Sequence, residues 1–334
     1  MLVPNRHGNS IPNGYRYGFN GKELDNELKG EGNSYDFGSR MLDIRVGRWF
    51  SRDSKATLLP HLSPYHYALN SPIRTIDEDG QFPILINGNT SKDQERASPT
   101  YWDKNVLSTI ANRTGYKMGA SFNGSGASKS KFSGDFFFVD GNKGFWPSTR
   151  RSAGVAQAKV DAQAVWNKMK ETMKDGKITE QLQAVTHSRG SVYGEGYMDG
   201  MSKEIVKLAE KEGIGFAYDK GNIFEYSVNL APHQSNYINY ANGGTKNVNI
   251  SHIGDPLSGD DATGNVINVE SIPEQDAMDQ HGNKTYNKEL NIILNILESG
   301  VGKEKLFDAV KKGYKGYDKS RTNGDESEVT KGKS

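Results

Sequence analysis

Cysteine is absent from all 334 residues. Its absence excludes a disulfide framework and any thiolate metal site, and it suits a protein that must be indifferent to redox conditions. Apolar residues are scarce, at 34%. No apolar run approaches the roughly 20 residues needed to cross a bilayer. The opening stretch, MLVPNRHGNSIPNG, lacks the charged-then-apolar pattern of a signal peptide. Charge of one sign is not in excess either, since 42 Lys+Arg balance 41 Asp+Glu. Proteins that depend on phosphate contacts with nucleic acid usually carry a basic excess or stripe, so no nucleic-acid partner is expected. Glycine is plentiful, with 38 residues, which predicts many loops. The length is enough for a sizeable core and for two units.

The first eighty or so residues differ in texture from the rest. They carry YDFGSRMLDIRVGRWFS and then PYHYALNSPIRTIDEDG. Aromatic–glycine alternation of this kind suits short twisted strands and tight turns. From about Tyr15 to Gly80 the chain resembles the C-terminal end of the Rhs/YD-repeat core of polymorphic toxins. The resemblance implies that residues 1–81 are a small β-rich core remnant and that a toxin domain follows from Phe82. It also implies an upstream Rhs shell or secretion machinery, and a cognate immunity protein. Many Rhs cores end in a self-cleaving pair of aspartates within Asp-Pro motifs. The matching positions are Asp53 and Asp77, where Ser54 and Glu78 stand in place of the prolines. Paired carboxylates can share a proton and activate water, with Gln81 as the expected point of cleavage. Without the prolines, both are expected to be solvated turn residues.

Beyond the boundary, apolar runs and helical periodicities alternate. FPILING, GDFFFVDG and QLQAV read as buried strands. PTYWDKNVLSTIANRTG reads as a helix with Ser98 as cap and Gly115 as stop. Apolar residues at helical spacing predict a helix over Ser152 to Lys174, and another runs from Gly190 to a stop at Gly213. IFEYSVNLAP, VNISHIG and NVINVESI follow as strands, then YNKELNIILNILESG and KEKLFDAVKKG as helices. The Gly/Ser-rich stretch from Gly119 to Lys131 is expected to loop out. Residues 314–334 are expected to be a disordered tail. This alternation predicts an α/β fold over residues 82–313: an α/β-hydrolase-like, mostly parallel sheet with helices on both faces.

The stretch VTHSRGSVYGEG carries the chemistry. A nucleophile elbow places a strained serine on a tight strand-to-helix turn and needs small residues two positions either side. Gly190 meets the second requirement, whereas Thr186 departs from the first. At a helix N-terminus, Ser188 would lie where backbone N–H groups favour a developing oxyanion. The Arg189 amide would give one donor, and the loop at Gly88 and Asn89 the other. In this fold the order is serine, acid, histidine. Of the four histidines past the boundary, only His281 follows a strand-end acid. That acid is Asp255, with Asp260 and Asp261 as alternates. His187, which flanks the serine and should point away from it, is grouped with His233 and Trp146 as bordering the substrate. Phe145 to Arg151, FWPSTRR, is the expected acyl or interfacial contact.

Residues 185–281 also resemble lipase-like toxin domains found behind Rhs cores, which share HSxG, LAPxQ and SHxxD. Here these read HSRG, LAPHQ and SHIGD, and the resemblance favours Asp255. It implies a secreted serine ester hydrolase, a lipase or phospholipase acting on membrane lipid, that needs neither cofactor nor metal. A nuclease toxin is the competing class, hinted at by His281, Asn283 and the lysine-rich end. A non-enzymatic binding module, in which Ser188 is incidental, is the third.

Overall fold

The computed structural model of the chain describes residues 23–25, 33–36, 41–43, 45–51, 63, 65, 82–114, 130–240, 243–272, 281–318 and 328–333. Two compact units divide it, Met1–Asp77 and Glu78–Ser334. Asp53, Asp77 and Gln81, the residues tied to self-cleavage, lie outside the described residues.

In the first unit, β1 (Glu23–Asp25), β2 (Ser34–Asp36), β3 (Met41–Asp43) and β4 (Arg48–Trp49) form an antiparallel meander in that order. Leu42 and Trp49 are buried cross-strand partners. Asp43 accepts from Arg45 at 2.9 Å and so holds the β3–β4 turn.

The second unit runs β5 (Pro83–Asn87), α1 (Lys104–Thr114), β6 (Ser130–Ser133), β7 (Phe136–Asp140), α2 (Pro147–Met169), β8 (Met173–Lys174), β9 (Lys177–Ile178), β10 (Leu182–His187) and α3 (Gly190–Glu212). It continues with β11 (Gly215–Phe216), β12 (Phe224–Leu230), β13 (Asn239–Tyr240), β14 (Lys246–His252), β15 (Thr263–Gly264), β16 (Ile267–Ser271), α4 (Asn287–Glu298), α5 (Lys303–Asp318) and β17 (Glu328–Lys331). An eight-stranded sheet has the order β17-β16-β14-β12-β10-β5-β7-β6. It is parallel except at its two edges, where β6 and β17 run antiparallel. Mixed α/β architecture is therefore observed, as the alternation predicts.

The central strands are buried along their whole length, which is why PILIN, FFFVD and LQAVTH read as unbroken runs rather than as alternations. Alternate residues still serve different layers. Leu85, Phe138 and Val185 face α1 and α4, where Leu290, Ile293 and Leu294 pack. Ile84, Ile86, Val139 and Ala184 face α2 and α3, against Val165, Trp166 and Val192. Each such side chain, fully buried, contributes about 1.5–3 kcal/mol. Among the described residues, no helix is long and apolar enough to cross a membrane.

Three expectations change. The helix predicted from Ser152 begins at Pro147, because proline fits the first turn and the Trp146 N–H is bonded back to the Thr149 hydroxyl. The end of the predicted Gly/Ser loop, from Ser130, is edge strand β6. The tail expected to be disordered contains structure. Tyr314 is buried within α5, and β17 pairs with β16 through Ile267↔Lys331 and Val269↔Val329.

Candidate active site

Strand β10 ends at His187, helix α3 starts at Gly190, and Ser188 sits on the turn between them. Its φ is +54°, a left-handed conformation that a residue with a Cβ adopts only under constraint. The constraint is visible. The Ser188 N–H donates to Leu230 at 2.9 Å, and its carbonyl accepts from Ser191 at 3.0 Å and from His233 at 3.2 Å. Gly190 is required by close approach, since a Cβ there would lie 2.6 Å from the Asn87 carbonyl and 2.7 Å from that of Ile86.

Thr186, where the elbow pattern asks for a glycine, is accommodated one turn into α3. A Cβ at Gly194 would stand 2.7 Å from the Thr186 methyl, so the missing side chain has moved to the helix. The Thr186 hydroxyl donates to Asn229 at 2.6 Å. From there a buried amide ladder crosses the sheet, Asn229 to Asn249 at 2.6 Å and Asn249 to Asn268 at 3.2 Å. Every member is satisfied, which is the condition for a polar network to stiffen rather than weaken a core.

Three distant side chains converge at this turn. The Ser188 hydroxyl lies 2.7 Å from His281 Nε2, and His281 Nδ1 lies 2.7 Å from Asp255 Oδ2. A carboxylate only accepts, so Nδ1 carries the proton and Nε2 receives the hydroxyl. Asp255 follows β14 and is 6% exposed. Its other oxygen accepts from the Leu257 N–H at 2.9 Å. Burial acts to raise this carboxyl, but the bonds from His281 and Leu257 and the nearby His281 charge outweigh it. The group is held below the ordinary carboxylate value. Of the alternates, Asp261 accepts instead from the Ser235 hydroxyl.

His187 requires a correction. Expected to border the substrate, it is 5% exposed and both ring nitrogens are committed. Nε2 is 2.7 Å from the carbonyl of His281, so it must donate, and Nδ1 therefore accepts from the Tyr101 hydroxyl at 2.5 Å. Burial, with the His281 charge, pushes its pKa down to about 3, so the ring stays neutral. Burial raises the Tyr101 phenol, and the Gly88 backbone acts the other way. Gly88 and Asn89, expected as oxyanion donors, follow β5, where Gly88 is buried close to Tyr101 and Asn89 is exposed.

Sequence reasoning missed Tyr101 and Asn87, and read Asn283 only as a hint of a nuclease. Asn87 ties the end of β5 to Asp140 at 3.1 Å and to the Ala97 N–H at 3.0 Å. Asn283 accepts from the Asp103 N–H at 2.7 Å and donates to the Tyr101 carbonyl at 3.0 Å, anchoring the segment that carries His281. Both residues that hinted at a nuclease are thereby engaged. His233 is partly exposed, and its Nδ1 donates to the Leu257 carbonyl at 2.8 Å. Trp146 is 65% exposed beside Phe145 at 76%. His252 is a buried ring stacked on Tyr286 at 3.8 Å.

The molecule is therefore a mixed α/β protein carrying a serine–imidazole–carboxylate constellation on a strained strand-to-helix turn. No family model matches the chain. A curated relative, salivary gland surface protein 1 of Aedes aegypti, is 35% identical over 68 residues, which is 20% of this chain and 2% of that protein.

Proposed function

We propose that this protein is a serine ester hydrolase of α/β-hydrolase type. The observation that carries the reading is the linear relay from the Ser188 hydroxyl to His281 Nε2 and from His281 Nδ1 to Asp255, at 2.7 Å for each contact. The setting supports it. The serine follows a central parallel strand, the acid follows β14 and the histidine follows β16, the order serine, acid, histidine of that fold.

His281 takes the Ser188 proton as the oxygen attacks an ester carbonyl, and Asp255 stabilises the imidazolium. The Arg189 N–H, at the head of α3, and the Asn89 N–H receive the oxyanion; such donors contribute about 3–4 kcal/mol each in the transition state. The alcohol leaves with the proton from His281, and water, deprotonated by the same ring, releases the acyl group. The exposed Phe145–Trp146 pair and the lipase-like motifs favour a membrane-lipid ester. The Rhs-like first unit favours a secreted toxin delivered to a target cell and countered by an immunity protein.

A fluorophosphonate probe tests the core of this reading. Stoichiometric labelling of the parent protein, lost in Ser188→Ala, is the expected result; an unlabelled parent protein overturns it.

A further inference from the structure

Beside the proposed nucleophile sits a pair of cations that has no counter-ion among the described residues. Arg150, in the first turns of α2, is 1% exposed. Its guanidinium donates to the Gln234 amide oxygen at 3.1 Å, to the Phe145 carbonyl at 3.2 Å and, at the limit, to the Gly144 carbonyl at 3.5 Å. Arg189 donates to the same Gly144 carbonyl at 2.8 Å, and its Nε is sealed from water with no partner. All of these acceptors are neutral. Other arginines of the described residues are treated differently: Arg45 pairs with Asp43, Arg96 with Asp93 and Asp140, and Arg151 with Glu195 and Asp199.

Two like charges sharing one carbonyl repel, and burying one of them without an anion is costly. Burial and then the Arg189 charge push the Arg150 pKa down to about 10, which still leaves it charged at neutral pH. The pair is thus a standing positive charge flanking the turn that carries Ser188. Its place is fixed by contact: Arg189 is the residue after Ser188, and Gln234 follows His233, whose N–H donates to the Ser188 carbonyl. Phe145 and Trp146, exposed and packed edge-to-face at 5.1 Å, rise from the same turn. Cations and an aromatic ledge therefore adjoin one serine.

We infer that Arg150 and Arg189 form an oxyanion subsite next to Ser188 that receives a phosphate carried by the ester substrate. This rests on the hydrolase reading and narrows it to phosphate-bearing esters. Arg189 reaches the anion directly, and Arg150 holds the field and shapes the 144–146 turn.

The test compares two monomeric substrates with identical acyl chains, dihexanoylglycerol phosphate and neutral dihexanoylglycerol, on the full chain. The phosphate ester should show kcat/KM higher by about tenfold or more, the scale of one charge-assisted hydrogen bond, mainly through KM. Arg189→Gln and Arg150→Met should collapse that ratio towards one. Arg189→Gln decides the matter if Arg150→Met fails to fold. Inorganic phosphate competing with the neutral ester in the parent, but not in Arg189→Gln, supports the subsite and shows that free phosphate also enters it. A preference without such competition supports it for the ester-borne group alone. Equal kcat/KM on both esters in a protein whose Ser188 takes the fluorophosphonate overturns the subsite and leaves the hydrolase standing, as does a preference that survives both substitutions. Absence of labelling removes the hydrolase reading and the subsite together.

Discussion

His187 Nε2 donates to the backbone carbonyl of His281 at 2.7 Å. The residue preceding the nucleophile thus grips the main chain of the proposed general base. With Tyr101 it forms a chain of hydrogen bonds that ends on the main chain of His281. Tyr101→Phe removes the donor to Nδ1. The expected consequence is a kcat lower by about tenfold to a hundredfold with KM little changed, since the contact positions groups that act in the transition state. His187→Gln, which keeps a donor towards the His281 carbonyl, should lose less than His187→Ala. Equal losses in the two variants, or a change confined to KM, would count against the positioning role.

The same ring sets a stability slope. Its folded pKa, about 3, lies below the unfolded value of about 6.5. Between these values the unfolded chain binds a proton that the folded chain refuses, so stability falls as pH drops and is fully present only above about 6.5. Going from pH 7 to pH 5, this group should cost about 2 kcal/mol, at about 1.4 kcal/mol per unit. Asp255, held low, adds its own loss only nearer pH 4 and below. Urea unfolding of the parent and of His187→Gln at both pH values reads the difference. Parallel slopes would refute it.

The alternating layers were legible because buried parallel strands write themselves as apolar runs and helices as 3.6-residue periodicities. Ser188, Asp255 and His281 were legible because chain order restricts which residues can meet. His187 was misread: a polar side chain beside a nucleophile looks like a substrate contact until its two nitrogens are accounted for. The positioning roles of Tyr101 and Asn283 left no trace, since their partners are far away in sequence. The Thr186 departure became intelligible only with Gly194 opposite it.

The left-handed φ of Ser188 predicts a divergence between two variants of the proposed nucleophile. Ser188→Ala and Ser188→Gly both lose the contact with His281, yet only glycine tolerates φ +54° without strain. Strain of about 1–2 kcal/mol is relieved, less about 0.4–1 kcal/mol for the looser unfolded chain. Ser188→Gly should therefore be more stable than Ser188→Ala by about 0.5–1 kcal/mol in calorimetry. The reverse order would mean that the turn carries no strain.

Strand β17 closes one edge of the main sheet. Val329, 8% exposed, packs in the core, the Gly332 N–H bonds Val266 at 2.9 Å, and Lys331 lies 4.7 Å from the Phe307 ring. Deleting residues 319–334 strips β16 of its antiparallel partner and leaves a row of unpaired backbone groups at the edge, which invites association. The shortened chain should unfold several degrees lower, as expected for a loss of about 1–3 kcal/mol, and should elute as larger species on gel filtration. The triad comes from the turn after β10 and from beyond β14 and β16, on the central and flanking strands rather than on β17 itself. If the proposed function holds, ester turnover by the monomer fraction, measured well below the transition, should consequently stay within a few-fold of the parent. Unchanged thermal stability on deletion would show that the strand contributes nothing to the sheet.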